Sequence, residues 1–140
     1  MTAAPSSRLV AETERDLAPL VLLVDDYADT RELYGHYLGL RGYRVEEAED
    51  GVAGIAKAVD LRPGVIVMDL AMPHLNGWDA TRLLKADPRT RDIPVICLTA
   101  HGQAIERARA IDAGCDIFLS KPCLPRDLSH EIGRLLGGSD

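Results

Sequence analysis

Leu20-Val21-Leu22-Leu23-Val24-Asp25-Asp26 is the stretch on which the fold turns: an unbroken apolar run that stops dead at two adjacent carboxylates. A strand with one wet face alternates apolar and polar residues. A run apolar on both faces reads instead as a strand covered on both sides, the pattern of a parallel sheet sandwiched between helices. Val65–Met68 (VIVM) and Ile93–Leu98 (IPVICL) repeat it. Tyr43–Ala48 alternates more and runs into Glu46, Glu47 and Glu49, which places it nearer a sheet edge, and Ile117–Leu119 is a short fifth run.

Helical signals fill the gaps. Asp29-Thr30-Arg31-Glu32 reads as a capping box opening a helix whose stripe is Leu33, Tyr34, Tyr37 and Leu38, with Gly42 as its stop. Further helices are expected over Val52–Val59, Trp78–Ala86 (ended by Pro88), Gln103–Ala113 (ended by Gly114) and Pro125–Leu136. Strict alternation of five strands and five helices specifies an α/β fold with a doubly wound, five-stranded parallel sheet. Residues 1–18 read as a flexible tail, with a short helix over Leu9–Leu17 as an option. Residues 19–137 form the one domain, and 138–140 a second frayed end.

The composition agrees with one soluble domain. The chain has 140 residues, 46% hydrophobic and 27% charged, and a formal net charge of −6. That balance argues against direct DNA binding, where a basic stripe is the usual footprint. The longest apolar stretch, Ala18–Val24, is far shorter than the roughly 20 residues of a membrane span. Glu12, Glu14 and Asp16 precede it where a signal peptide would carry cations. Cys97, Cys115 and Cys123 are odd in number and lack C-x-x-C spacing, so free thiols in a cytoplasmic, reducing setting are expected.

In an open parallel sheet, ligands bind outside the carboxyl ends of the strands. Those ends carry Asp25-Asp26, Asp69, Thr99 and Lys121. Three converging carboxylates repel one another, and a hard divalent cation such as Mg²⁺ resolves the conflict while keeping sites for phosphoryl oxygens. A lysine adds fixed positive charge and a hydroxyl one more donor. Together they suit in-line phosphoryl transfer to an aspartate nucleophile.

These pieces in this order resemble a response-regulator receiver domain of two-component signalling over about Leu20 to Leu136, similar to the chemotaxis receiver. The matching motifs are LLVDD at 22–26, EAEDG at 47–51, VIVMDLAMPHLNGWD at 65–79, IPVICLTA at 93–100 and DAGCDIFLSKP at 112–122. The resemblance implies a flavodoxin-like (βα)5 fold with strand order 2-1-3-4-5. It implies Asp69 as phosphoacceptor, and Asp26, Asp69 and the Ala71 carbonyl as Mg²⁺ ligands, with Asp25 helping through water. Lys121 would pair the phosphoryl group and Asp69, Thr99 would reorient toward it, and Phe118 stands at the aromatic switch position. Lys121-Pro122 resembles the family's cis peptide.

The function so implied is a stand-alone response regulator. It accepts phosphate from a phosphohistidine on a sensor histidine kinase or histidine phosphotransfer protein and dephosphorylates itself. It signals to a downstream protein through the face made by helix 4, strand 5 and helix 5, and it is not an enzyme toward external substrates. With about four residues after the last helix, no DNA-reading module is expected. Two competing readings are a phosphorylation-independent interaction module and an aspartate-nucleophile phosphatase. The latter resembles D-x-D on the first strand, whereas here the pair is Asp25-Asp26 followed by Tyr27. Ala71 offers no side chain to guide water; His101 could position water or cap a helix, and Cys123 reads as core filler or a half-exposed thiol. Tyr27 and Trp78 are expected to rim the site, and Arg89, Arg91, Arg107 and Arg109 to be solvated charge or to face an acidic partner.

Overall fold

A computed structural model describes residues 18–100 and 102–137. The expected tails apart from Ala18, the optional Leu9–Leu17 helix and His101 lie outside those residues.

The strands are β1 (Leu20–Val24), β2 (Arg44–Ala48), β3 (Val65–Asp69), β4 (Val95–Thr99) and β5 (Ile117–Ser120). The helices are α1 (Ala28–Leu40), α2 (Gly51–Leu61), α3 (Gly77–Ala86), α4 (Ala104–Asp112) and α5 (Pro125–Leu135). The sheet is wholly parallel in the order β2-β1-β3-β4-β5, the doubly wound flavodoxin-like arrangement.

The continuous apolar runs are continuous because both faces are covered. On one face Leu22, Val24, Ile66, Met68, Val95 and Cys97 pack under Ala58 of α2, Ala80 and Leu84 of α3 and Ala110 of α4. On the other, Val21, Leu23, Val65, Val67, Ile96 and Leu98 meet Tyr34 and Leu38 of α1 and Leu128 and Ile132 of α5. Alternate side chains along each strand thus serve opposite layers. Every residue of β3 and β4 is buried, whereas the edge strand β2 is exposed at Arg44 and Glu47.

Several local expectations need correction. Asp29 does not cap α1: the N-cap lies two residues earlier, at Tyr27, and Asp29 is already in the first turn. The Tyr27 backbone N–H is met from upstream, donating to Asp25 Oδ1 at 2.9 Å. Of the expected stripe only Tyr34 and Leu38 are buried, and Leu33 faces solvent. β4 starts two residues late, because Ile93 N–H closes a turn onto the Thr90 carbonyl and Pro94 has no N–H for the ladder. α2 runs on to Leu61, ending with Arg62 in left-handed backbone before Pro63. The three cysteines are free, as expected, and the Cys97 thiol is pushed far above its ordinary range by its hydrogen bond to Cys115 and by burial.

Two side-chain caps fix the helices that follow the acidic strand ends. Asp50 accepts from the Ala53 N–H at 2.8 Å, and Asn76 from the Asp79 N–H at 2.9 Å. Gly77 then admits α3 against β3. Its N–H donates to the Leu70 carbonyl at 3.0 Å, and a Cβ there would collide with the Asp69 carbonyl and, at 2.7 Å, with Leu70 Cα. Gly77→Ala is therefore expected to lower stability by about 1–3 kcal/mol through overpacking. Gly39→Ala, on the open side of α1 where nothing lies within 4 Å, should raise it by about 0.5–1 kcal/mol through helix propensity. Urea unfolding of the two variants checks both signs.

Candidate functional site

Parallel register builds the site. Val24 pairs with Met68, so the next residues, Asp25 and Asp69, emerge side by side where β1 and β3 end. The Asp25 N–H donates to the Ala48 carbonyl at 3.1 Å and the Leu70 N–H to the Leu98 carbonyl at 3.3 Å, which holds these ends level with their neighbours. Asp26 follows in the turn before α1. Asp25, Asp26 and Asp69 each offer a carboxylate oxygen within 4.8 Å of the other two; Asp25 and Asp69 are buried and Asp26 is exposed.

β5 brings the counter-charge. Thr99 is level with Ser120, and the Lys121 N–H donates to the Thr99 carbonyl at 2.7 Å. From there Lys121 Nζ reaches Asp25 Oδ2 at 3.1 Å and Asp69 Oδ1 at 3.9 Å. The Lys121–Pro122 peptide is cis, in agreement with the sequence reading. The Ala71 N–H donates weakly to Asp69 Oδ1, at 3.4 Å. Thr99 is buried at the end of β4, two residues beyond Cys97 and therefore on the same sheet face. Phe118, paired with Cys97, is partly buried against that face, so hydroxyl and aromatic ring lie on one layer.

Sequence reasoning brought together the residues that the fold brings together: Asp25, Asp26, Asp69, Ala71 and Lys121, with Thr99 alongside. Tyr27 is exposed beside them. Trp78 turns toward α4: its Nε1–H donates to the Glu106 carbonyl at 3.4 Å, and the Arg109 guanidinium lies 4.2 Å above its ring. Arg109 is thus engaged within the fold, and Arg89 pairs with Asp87 at 2.8 Å.

Two residues escaped the sequence reading. Arg31 donates through Nη1 to the Asp25 carbonyl at 2.6 Å and through Nε to Glu47 Oε1 at 3.0 Å, tying the acidic turn to the edge strand. Tyr34 donates its hydroxyl to the Cys123 carbonyl at 2.8 Å. The available signal was a phenol on the core-facing stripe, since a buried tyrosine hydroxyl needs a partner.

The carboxylates carry the electrostatic cost of this convergence. Burial first, then the neighbouring Asp25, push Asp69 up from 3.8 to about 7, and Lys121 only partly offsets them. Oxygen donors of this kind, with exposed Asp26 at the rim, fit a hard divalent cation. The donor set can hold such an ion against the Asp69 oxygens while Lys121 approaches from the β5 side.

The comparisons with known proteins agree with this arrangement. Residues 21–133 match the response regulator receiver domain family, and the chain belongs to that family. It is 37% identical over 122 residues to the DNA-binding dual master transcriptional regulator RpaA of Synechocystis sp., covering 87% of this chain and 51% of that protein. It is 38% identical over 116 residues to the phosphate regulon transcriptional regulatory protein PhoB of Pseudomonas aeruginosa, covering 83% and 51%. The chain thus spans about half the length of these curated relatives. Among solved structures it is similar to the Vibrio cholerae chemotaxis protein CheY4, with TM-score 0.81 and 30% identity over 85% of this chain and 99% of that one. It is also similar to the receiver domain of sensor histidine kinase PA1611 from Pseudomonas aeruginosa, with TM-score 0.80 and 31% identity over 86% and 99%. That structure has a magnesium ion coordinated in its active site cleft.

The raised Asp69 carboxyl sets a pH dependence for the metal-free protein. Between about pH 4 and 7 the folded chain retains a proton that the unfolded chain has released, so stability falls as pH rises through this window and levels off above it. Asp69→Asn removes the penalty. In chelator the variant should gain about 1–2 kcal/mol over wild type at pH 8, with solvent screening allowed for, and much less at pH 5. Denaturant unfolding at the two pH values measures it; an equal gain at both would contradict the assignment of the shift.

Proposed function

We propose that this chain is a phosphoacceptor response regulator of two-component signalling, with Asp69 as the residue phosphorylated. The observation that carries the reading is the Lys121 ammonium lying against Asp25 and Asp69 in a cluster of three carboxylates at the carboxyl end of a parallel sheet. Mg²⁺, held by Asp26, Asp69 and the Ala71 carbonyl with Asp25 assisting through water, would neutralise charge on the transferring phosphoryl group.

The chain's own residues supply the rest. An Asp69 carboxylate oxygen attacks phosphorus of a phosphohistidine donor; the phosphorus–nitrogen bond breaks, and the imidazole nitrogen takes its electron pair. Lys121 moves from pairing Asp69 to pairing a phosphoryl oxygen, at little cost because its bond to Asp25 anchors it. The Thr99 hydroxyl donates to another phosphoryl oxygen, and Phe118 turns inward on the layer they share. Water later hydrolyses the acyl phosphate, so the only chemistry is the gain and loss of the chain's own phosphate. The face formed by α4, β5 and α5 carries the signal to a protein partner.

The donor is a sensor histidine kinase or a histidine phosphotransfer protein. In this reading residues 19–137 act as the receiver. A cytoplasmic setting accords with three free thiols. Among the described residues no helix is long and apolar enough to cross a membrane.

With acetyl phosphate and Mg²⁺, wild type should gain one phosphoryl group by intact mass and Asp69→Asn none. Lys121→Ala should label at least about 100-fold more slowly, the usual cost of deleting a preorganised charge at a transferring group. Equal labelling of wild type and Asp69→Asn would overturn the reading.

A further inference from the structure

We propose that Tyr34 is a positioning residue for Asp69 phosphorylation, its hydroxyl holding the β5–α5 loop at the height from which Lys121 reaches the carboxylates. This rests on the reading of Asp69 as phosphoacceptor and adds a residue from α1 to its control.

The loop that carries Lys121 has few ties. Upstream, the Lys121 N–H is bonded to the Thr99 carbonyl. Pro122 has no N–H to donate. The next backbone group held from across the fold is the Cys123 carbonyl, and the donor is Tyr34 Oη at 2.8 Å. Lys121 therefore lies between two fixed points, one on β4 and one on α1. Its ammonium must settle between Asp25 at 3.1 Å and Asp69 at 3.9 Å, and a shift of 1 Å would give up one contact.

Tyr34 is suited to hold such a point. It is buried, its ring packs with Leu38, Leu128 and Ile132, and with Asp25 and Asp69 it lines a small cavity beneath the carboxylates. Burial and then the neighbouring Cys123 and Asp25 push its phenol up to about 12, so it remains a hydrogen-bond donor throughout the neutral range. The tie is a neutral hydrogen bond, constant across that range, unlike the charges above it.

Tyr34→Phe keeps the ring and deletes only the donor, so the fold is preserved. Labelling by acetyl phosphate at saturating Mg²⁺ should slow about fivefold, the usual worth of one hydrogen bond. The Mg²⁺ dissociation constant should stay within about twofold, since Tyr34 is no metal ligand. A double-mutant cycle separates positioning from general packing. In a Lys121→Ala background the substitution should have no further effect on labelling if Tyr34 acts through Lys121. Equal labelling of Tyr34→Phe and wild type, or a full further loss in the Lys121→Ala background, overturns the proposal. Failure of wild type itself to label would instead overturn the phosphoacceptor reading on which it rests.

Discussion

Everything at the working end of this protein follows from one constraint: parallel register forces Asp25 and Asp69 to emerge together. The strands cannot slip to relieve the repulsion. A one-residue shift would carry the alternating core residues Leu22, Val24, Ile66 and Met68 to the wrong layer. Apolar burial at about 25 cal/mol per Å² over two full layers outweighs a few kcal/mol of like-charge repulsion at the rim. The carboxylates must therefore be accommodated where they stand. Asp69 holds its proton up to about pH 7, Lys121 leans in from β5, and the exposed Asp26 keeps one side open.

That accommodation is incomplete, and the incompleteness is chemically useful. A site fully neutralised by its own lysines and arginines would be stable and inert. Here Lys121 is shared between two acids, with the closer contact to Asp25, so Asp69 is the less compensated of the buried pair. The less compensated of these two carboxylates is also the one the proposed chemistry uses. Arg31, which could have paired a carboxylate of the cluster, donates instead to the Asp25 backbone carbonyl and to the Glu47 carboxylate on the edge strand, bracing the turn without quenching the cluster.

How legible all this was depends on how local its cause is. β1, β3 and β4 were readable because burial on both faces leaves an unbroken apolar run, and Asp25, Asp26, Asp69 and Thr99 because they stand where such a run ends, with Lys121 just past the short fifth run. The α1 start was misread: the helix opens at Ala28 with Tyr27 at its N-cap, whose N–H is met by Asp25 upstream, so Asp29 already stands in the first turn. Pro94 likewise delayed β4 through a missing donor, which an apolar pattern cannot show. Tyr34 and Arg31 were hidden for another reason. Tyr34 and, in its contact to the turn, Arg31 meet the Cys123 and Asp25 carbonyls, which are backbone atoms and leave no trace in residue type. The strand order depends on pairing across the sheet, and there the family resemblance carried what periodicity did not; the shared layer of Thr99 and Phe118 follows only from the β4–β5 register.

The same burial pattern limits where a charge change at Asp69 can be felt. β3 and β4 are buried along their whole length, so neither can yield without opening both layers. β5 is different: Ile117, Phe118 and Leu119 are only partly covered and Ser120 is exposed. Lys121 begins the loop after it, bonded back to Thr99. A perturbation entering at the β3 end thus meets two rigid strands and one compliant edge, and the compliant edge holds the lysine that touches Asp69. On the proposed reading, moving Lys121 to a phosphoryl oxygen pulls on this edge, and the Tyr34 hydroxyl limits how far it travels. Displacement is thereby directed away from the loop and toward the partly covered Phe118 on the α4 side.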